Sequence, residues 1–111
     1  MKILKFRKRL SQLILCGEKT VTWRLFDDKN LQKGEVVSFM VWETGKKFAN
    51  VKILEVTETT FAKLKKEDFE GHEPFSSMDE VYDRFSLYYH RPIYPHTSVK
   101  ILRFSLVKKF K

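Results

Sequence analysis

The sequence predicts a small α+β protein that is mainly β: a mostly antiparallel barrel with elements in the order β α β β β α α β. Three observations carry this. First, two apolar runs, 36–42 and 48–57, flank the polar connection Glu43-Thr44-Gly45-Lys46-Lys47, whose length fits a hairpin and hence antiparallel pairing. Second, the run 97–107 carries Val99, Ile101, Leu102, Phe104 and Leu106 on both of its faces, as a mid-sheet strand does. Third, long helical periodicity occurs once, near 77–90, so helices do not alternate with every strand as in a βαβ sheet. At 111 residues the chain is one domain, 1–111, long enough to bury a core.

In order, 1–6 reads as a strand through Ile3, Leu4 and Phe6. Leu10, Leu13 and Ile14 place 8–16 on a short amphipathic helix, with Gly17 free to take positive φ beyond its end. Thr20 to Leu25 is β-branched and aromatic, hence a strand. Alternation sets Thr20, Thr22 and Arg24 on one face, and Val21, Trp23 and Leu25 on the other. A polar loop holds Asp27, Asp28, Lys29 and Asn30, and the chain turns at Gly34. Thr59 or Thr60 caps a short helix over 61–66 that exposes Lys63, Lys65 and Lys66. Ser77-x-x-Glu80 is a capping box, and Met78, Val81, Tyr82, Phe85 and Tyr89 form the buried stripe of the helix it opens. The tail from Lys108 to Lys111 is expected to fray.

Lysine and arginine number 22 against 14 acids, a net charge of +8. A field of that sign favours polyanions, nucleic acid first. Apolar residues at 42% and aromatics at 14% exclude a disordered chain. No apolar run spans a bilayer, and the N-terminus lacks a secretory h-region. Cys16 stands alone, which rules out an internal disulfide or a zinc cluster; it reads as a small buried hydrophobe in a reducing cytoplasm. His72, His90 and His96 have no metal-ligand spacing, and neither a P-loop nor a dinucleotide fingerprint occurs, so no cofactor or metal is expected.

One stretch resists a purely structural reading. Cys16-Gly17-Glu18-Lys19-Thr20-Val21-Thr22-Trp23-Arg24 places Lys19, Thr20, Thr22 and Arg24 among apolar neighbours. The spacing G-x-K-x-x-T-x-R points to a polar, anionic ligand. As a binding site, Lys19 stays charged and Arg24 grips the anion bidentately. As a catalytic site, threonine needs a base within reach, and lysine serves only if desolvation or a nearby cation such as Arg24 lowers its pKa, with Trp23 as a dry wall.

These residues resemble the ASCH domain, a relative of the PUA domain. The likeness extends to Lys33-Gly34-Glu35-x-Val37, to Gly71-His72-Glu73 before the long helix, and to the final strand, covering nearly the whole chain. The resemblance implies a PUA-like barrel with a cleft beside residues 17–24, and binding of RNA or of a modified nucleoside or nucleotide. Small bacterial ASCH proteins that hydrolyse the acetyl amide of acetylcytidine use a Lys base, a Thr nucleophile and a Glu proton donor. By position these are Lys19, Thr22 and Glu73, with Glu70 as the alternative acid.

Two readings therefore stand. One is a binding module for RNA or a modified nucleotide, built on Gly17, Lys19, Thr20, Thr22 and Arg24 with the basic residues Arg7, Lys8, Arg9 and Lys33. Lys5 belongs to the same lip, and Tyr88, Tyr89 and Tyr94 are candidate stacking residues, Tyr89 being equally a core residue. The other is an amidohydrolase using Lys19, Thr22 and Glu73, whose oxyanion donors are sought in backbone N–H groups near Gly17. His72 is placed near the cleft by its neighbour Glu73. A ribonuclease lacks a convincing His pair, and a protein adaptor has no positive signal.

Overall fold

The computed structural model describes residues 1–27 and 29–110; Asp28 of the polar loop and Lys111 of the tail lie outside the described residues. The elements are β1 (Ile3–Phe6), α1 (Lys8–Leu15), β2 (Val21–Arg24), β3 (Val36–Val41), β4 (Lys47–Thr60), α2 (Met78–Tyr89) and β5 (Ser98–Lys109). Among the described residues, five strands form one curled sheet in the order β1-β3-β4-β5-β2. Three of its pairings are antiparallel, and β1 runs parallel to β3 with Leu4 opposite Phe39. The α+β, mainly β class is the one observed, as a half-barrel whose edge strands are β1 and β2.

Among the described residues, two apolar clusters form the core. One gathers Leu4, Phe6, Leu10, Ile14, Phe39, Val51, Leu102 and Phe104 beneath α1. The other gathers Val21, Trp23, Leu25, Phe61, Val81, Phe85, Val99 and Ile101 beneath α2. β5 separates them, which is why both of its faces are apolar: Val99 and Ile101 pack into one cluster, Leu102 and Phe104 into the other.

The local signals hold at several points. Gly17 follows α1 at φ +86°. The Ser77 hydroxyl accepts from the Glu80 N–H at 3.2 Å and caps α2. The Glu80 carboxylate, however, reaches Ser76 instead of closing the box on Ser77. The helix expected over 61–66 is two short 3₁₀ turns, Phe61–Lys63 and Lys66–Phe69, with Leu64 extended between them and no side-chain cap from Thr60. Nucleating a helix of six residues is unfavourable, and burial of Phe61, Leu64 and Phe69 against the second cluster outweighs it. Met78 stands exposed at the first turn of α2, outside the buried stripe. Cys16 is exposed at the end of α1, not buried. Lys108 and Lys109 belong to β5 opposite Asn50 and Ala49, so the tail is paired through these residues. Among the described residues, no helix is long and apolar enough to cross a membrane.

Because Leu102 is wholly buried at the boundary of the two clusters, Leu102→Ala should cost about 3 kcal/mol in urea unfolding. Leu87 is 69% exposed on α2, and Leu87→Ala should stay within about 0.5 kcal/mol of the parent.

Candidate active site

Where β1 and β2 fail to pair, the half-barrel leaves a cleft of about 190 Å³ between the two apolar clusters. Phe6 and Leu10 line it from one cluster, Trp23 and Phe85 from the other, with Tyr88 and Tyr89 on α2. Its polar lining is Lys5, Arg7, Lys19, Thr22, Arg24, His72 and Glu73.

Lys19 lies in the turn between α1 and β2. Its backbone N–H donates to the Leu13 carbonyl at 3.1 Å, so the end of α1 fixes the direction of its side chain. The side chain is 2% exposed, and its ammonium donates to the carboxylate of Glu73, itself buried and 54 residues away. Burial lowers the Lys19 pKa below the ordinary lysine value; the Glu73 charge opposes this and the Arg24 charge adds to it. For Glu73, burial works to raise the carboxyl, but the Lys19 charge, His72 and the hydrogen bonds outweigh it and hold it below the ordinary carboxylate value. Thr22 is 4% exposed and lines the same cleft, three residues along from Lys19.

The loop that delivers Glu73 is pinned to the start of β2. The Gly71 carbonyl accepts from the N–H groups of Thr20 at 2.8 Å and Val21 at 3.3 Å. Gly71 sits at φ +80°, and a Cβ there would fall on the Thr20 hydroxyl. Thr20 thus sits against the Gly71 loop and outside the cleft lining. It precedes β2, so strand alternation does not govern it.

His72 completes the buried polar group. Its Nδ1 lies 3.0 Å from the Glu73 carboxylate and 3.0 Å from the Glu73 carbonyl oxygen. Its ring packs on Trp23 at a centroid distance of 4.1 Å. Burial first, then the Lys19 charge, push its pKa down to about 4, so at neutral pH the imidazole is uncharged and Nδ1–H donates to Glu73.

Arg24 spans the open seam. Its Nη2 donates to the Lys5 carbonyl of β1 at 2.8 Å, and its guanidinium lies 4.6 Å from the Phe6 ring. Its Nε is buried without a hydrogen-bond partner among the described residues. At the mouth, the Arg7 guanidinium lies 3.9 Å over the Trp42 ring.

The sequence-predicted residues therefore divide. The cleft brings together Lys19, Thr22, Arg24, Arg7, His72 and Glu73. Gly17, Thr20, Lys8, Arg9 and Lys33 do not line it. The Gly17 N–H is taken by the Ile14 carbonyl at 3.2 Å, which removes it as an oxyanion donor. Glu70 is exposed, and its carbonyl accepts from Arg103; Glu73 is the acid in the cleft. Tyr88 and Tyr89 line the cleft while packing on the second cluster, whereas Tyr94 stacks on His96 elsewhere. Trp42 was not foreseen as a lining residue: an aromatic at the end of an apolar strand run carries no local signal for it. Among the described residues, no group of three or more His, Cys, Asp or Glu could hold a metal ion.

No family model matches the chain. It is 32% identical over 80 residues to the N(4)-acetylcytidine amidohydrolase of Vibrio atlanticus (strain LGP32), a match spanning 72% of this chain and 75% of that protein. Among solved structures, a protein of Enterococcus faecalis V583 superposes with a TM-score of 0.75 at 18% identity, over 99% of this chain and 82% of the other. The ASCH domain of Lactobacillus crispatus JV V101 superposes with a TM-score of 0.71 at 15% identity, over 96% and 80%. At such identities these two speak for the fold.

Two outcomes test the construction of the site. An unfolded chain takes up the His72 proton near pH 6.5, the folded one only near pH 4. The unfolded state therefore binds more protons between these values, and stability falls as pH drops through that window by roughly 3 kcal/mol. His72→Asn keeps an N–H donor but does not titrate, and should flatten the slope between pH 6.5 and 4.5 in denaturation midpoints. Gly71→Ala should destabilise by about 2 kcal/mol through positive φ and the clash with Thr20. Adding Thr20→Ala should recover the clash part, a coupling that a double-mutant cycle measures.

Proposed function

The chain belongs to the ASCH-domain family, and from that membership and the buried Lys19–Glu73 pair beside Thr22 we propose that it is an amidohydrolase cleaving the acetyl amide of acetylcytidine-type nucleosides. The pair is the observation that carries the reading. A lysine and a glutamate buried together are poor stabilisers, because the desolvation of two ions offsets most of their attraction. Their placement at a cleft is better explained by proton chemistry.

In the resting pair the lysine is an ammonium and the glutamate a carboxylate. Moving one proton along their hydrogen bond yields an amine and a carboxylic acid, that is, a base and an acid at once and with no change in net charge. A substrate that fills the cleft removes water and favours this neutral form. Lys19 Nζ then takes the Thr22 hydroxyl proton as Oγ attacks the acetyl carbonyl carbon. The Arg24 guanidinium, which lines the cleft, is the donor offered to the oxygen that becomes negative. Glu73 gives its proton to the exocyclic nitrogen as the C–N bond breaks, releasing cytidine and leaving an acetyl ester on Thr22. Water adds to that ester, giving its proton to the Glu73 carboxylate. Thr22 Oγ leaves with the proton held by Lys19 and acetic acid departs; Glu73 then returns its proton to Lys19 and the resting ion pair is restored. His72 holds the Glu73 carboxylate through Nδ1–H and keeps it aligned with Lys19.

The test is release of cytidine from acetylcytidine, followed by chromatography. Thr22→Ala and Lys19→Met should each lower kcat by about 10³ or more. Thr22→Ser should retain part of the rate. Lys19→Arg should not restore it, because arginine stays protonated. Wild-type protein without turnover on either acetylcytidine or its 5′-monophosphate would overturn the reading.

A further inference from the structure

We propose that the outer part of the cleft is a phosphate site, so that the substrate binds as a 5′-nucleotide in preference to the free nucleoside; the orientation argument rests on the amidohydrolase reading above. Lys19, Thr22 and Glu73 are buried, whereas Lys5, Arg7 and Trp42 line the same cleft and are exposed, Trp42 by 55%. The cleft therefore has a reactive inner end and a cationic mouth. A cytosine ring carries its exocyclic nitrogen and its glycosidic bond on opposite sides. Seating the acetyl amide at the inner end turns the ribose outward, and the substituent on its 5′ carbon reaches the mouth.

The groups waiting there suit a phosphate. Neither Lys5 nor Arg7 has an acidic partner among the described residues; Lys2 pairs with Glu35 and Lys100 with Asp27. Glu43, in the turn after Trp42, accepts from the Lys8 backbone N–H at 2.9 Å. The Trp42 ring holds the Arg7 guanidinium in place at the rim, which reduces the ordering cost of using it as a fork. Among the described residues, no carboxylate lines the cleft apart from Glu73, which Lys19 neutralises. A terminal phosphate, carrying between one and two negative charges, meets one ammonium and one guanidinium. The same cations would also suit a phosphodiester in an RNA strand. The buried position of Lys19 and Thr22 favours the small ligand, because a base within a strand has to be fully extruded to reach them.

The experiment compares kcat/KM for acetylcytidine, its 5′-monophosphate and a short RNA with one acetylcytidine, at about 50 mM and about 500 mM salt. The monophosphate should be preferred over the nucleoside by roughly tenfold or more at low salt. That ratio should fall towards one at high salt and in Lys5→Ala/Arg7→Ala. In parallel, binding of cytidine and of its 5′-monophosphate to Thr22→Ala is measured by calorimetry. No hydrolysis of any substrate, with the monophosphate still bound tightly through Lys5 and Arg7, would refute the amidohydrolase reading and support the phosphate site. Equal efficiency on nucleoside and monophosphate, or a preference that survives the double substitution, would overturn the phosphate site. So would the RNA proving the best substrate, which would assign the mouth to a strand.

Discussion

An ammonium and a carboxylate withdrawn from water together constrain the rest of this molecule. Lys19 and Glu73 are both buried, and neither would be tolerated alone, because an unpaired buried charge costs several kcal/mol. Each must therefore arrive at the same point, although 54 residues separate them. Two local devices deliver them: the end of α1 aims Lys19, and the Gly71 carbonyl fastens the Glu73 loop to the first residues of β2. His72 adds a neutral donor to the same carboxylate, and Trp23 supplies the flat apolar surface on which that imidazole rests.

The sheet makes room for this pair by remaining open. A strand pairing between β1 and β2 would close the barrel and fill the space now occupied by the cleft. Instead, the Arg24 side chain crosses the seam to the Lys5 carbonyl. One cationic side chain thus supplies part of the cohesion that a ladder would give, and leaves its Nε facing no protein acceptor. The two apolar clusters on either side are what allow the gap to persist, since each half of the sheet has its own packed face beneath its own helix. Stability and access are separated in space: the clusters hold the fold, and the seam between them holds the cleft.

Within the elements, sequence patterns were informative where one local rule acted without competition. The two-faced apolar run of β5, the Gly17 turn and the Ser77 cap each followed from side-chain chemistry over a few residues. They were less informative where tertiary burial competed with local preference. Phe61, Leu64 and Phe69 broke a helix into two turns to reach one cluster, Met78 was left outside the stripe, and Cys16 stayed in solvent. Thr20, grouped with Thr22 by alternation, lies just before the strand, where that rule has not begun.

What the sequence determined by itself was the class of fold, the family likeness carried by Gly17, Lys19, Thr22 and Arg24, and the chemical character of the candidate site, because these depend on residue type, short-range spacing and periodicity. Only the tertiary structure decided between Glu73 and Glu70, removed Gly17, Lys8, Arg9 and Lys33 from the cleft lining, and brought Trp42 to its mouth. Those outcomes depend on which strands fail to pair and where a loop is fastened, contacts made across the whole chain that no local pattern records.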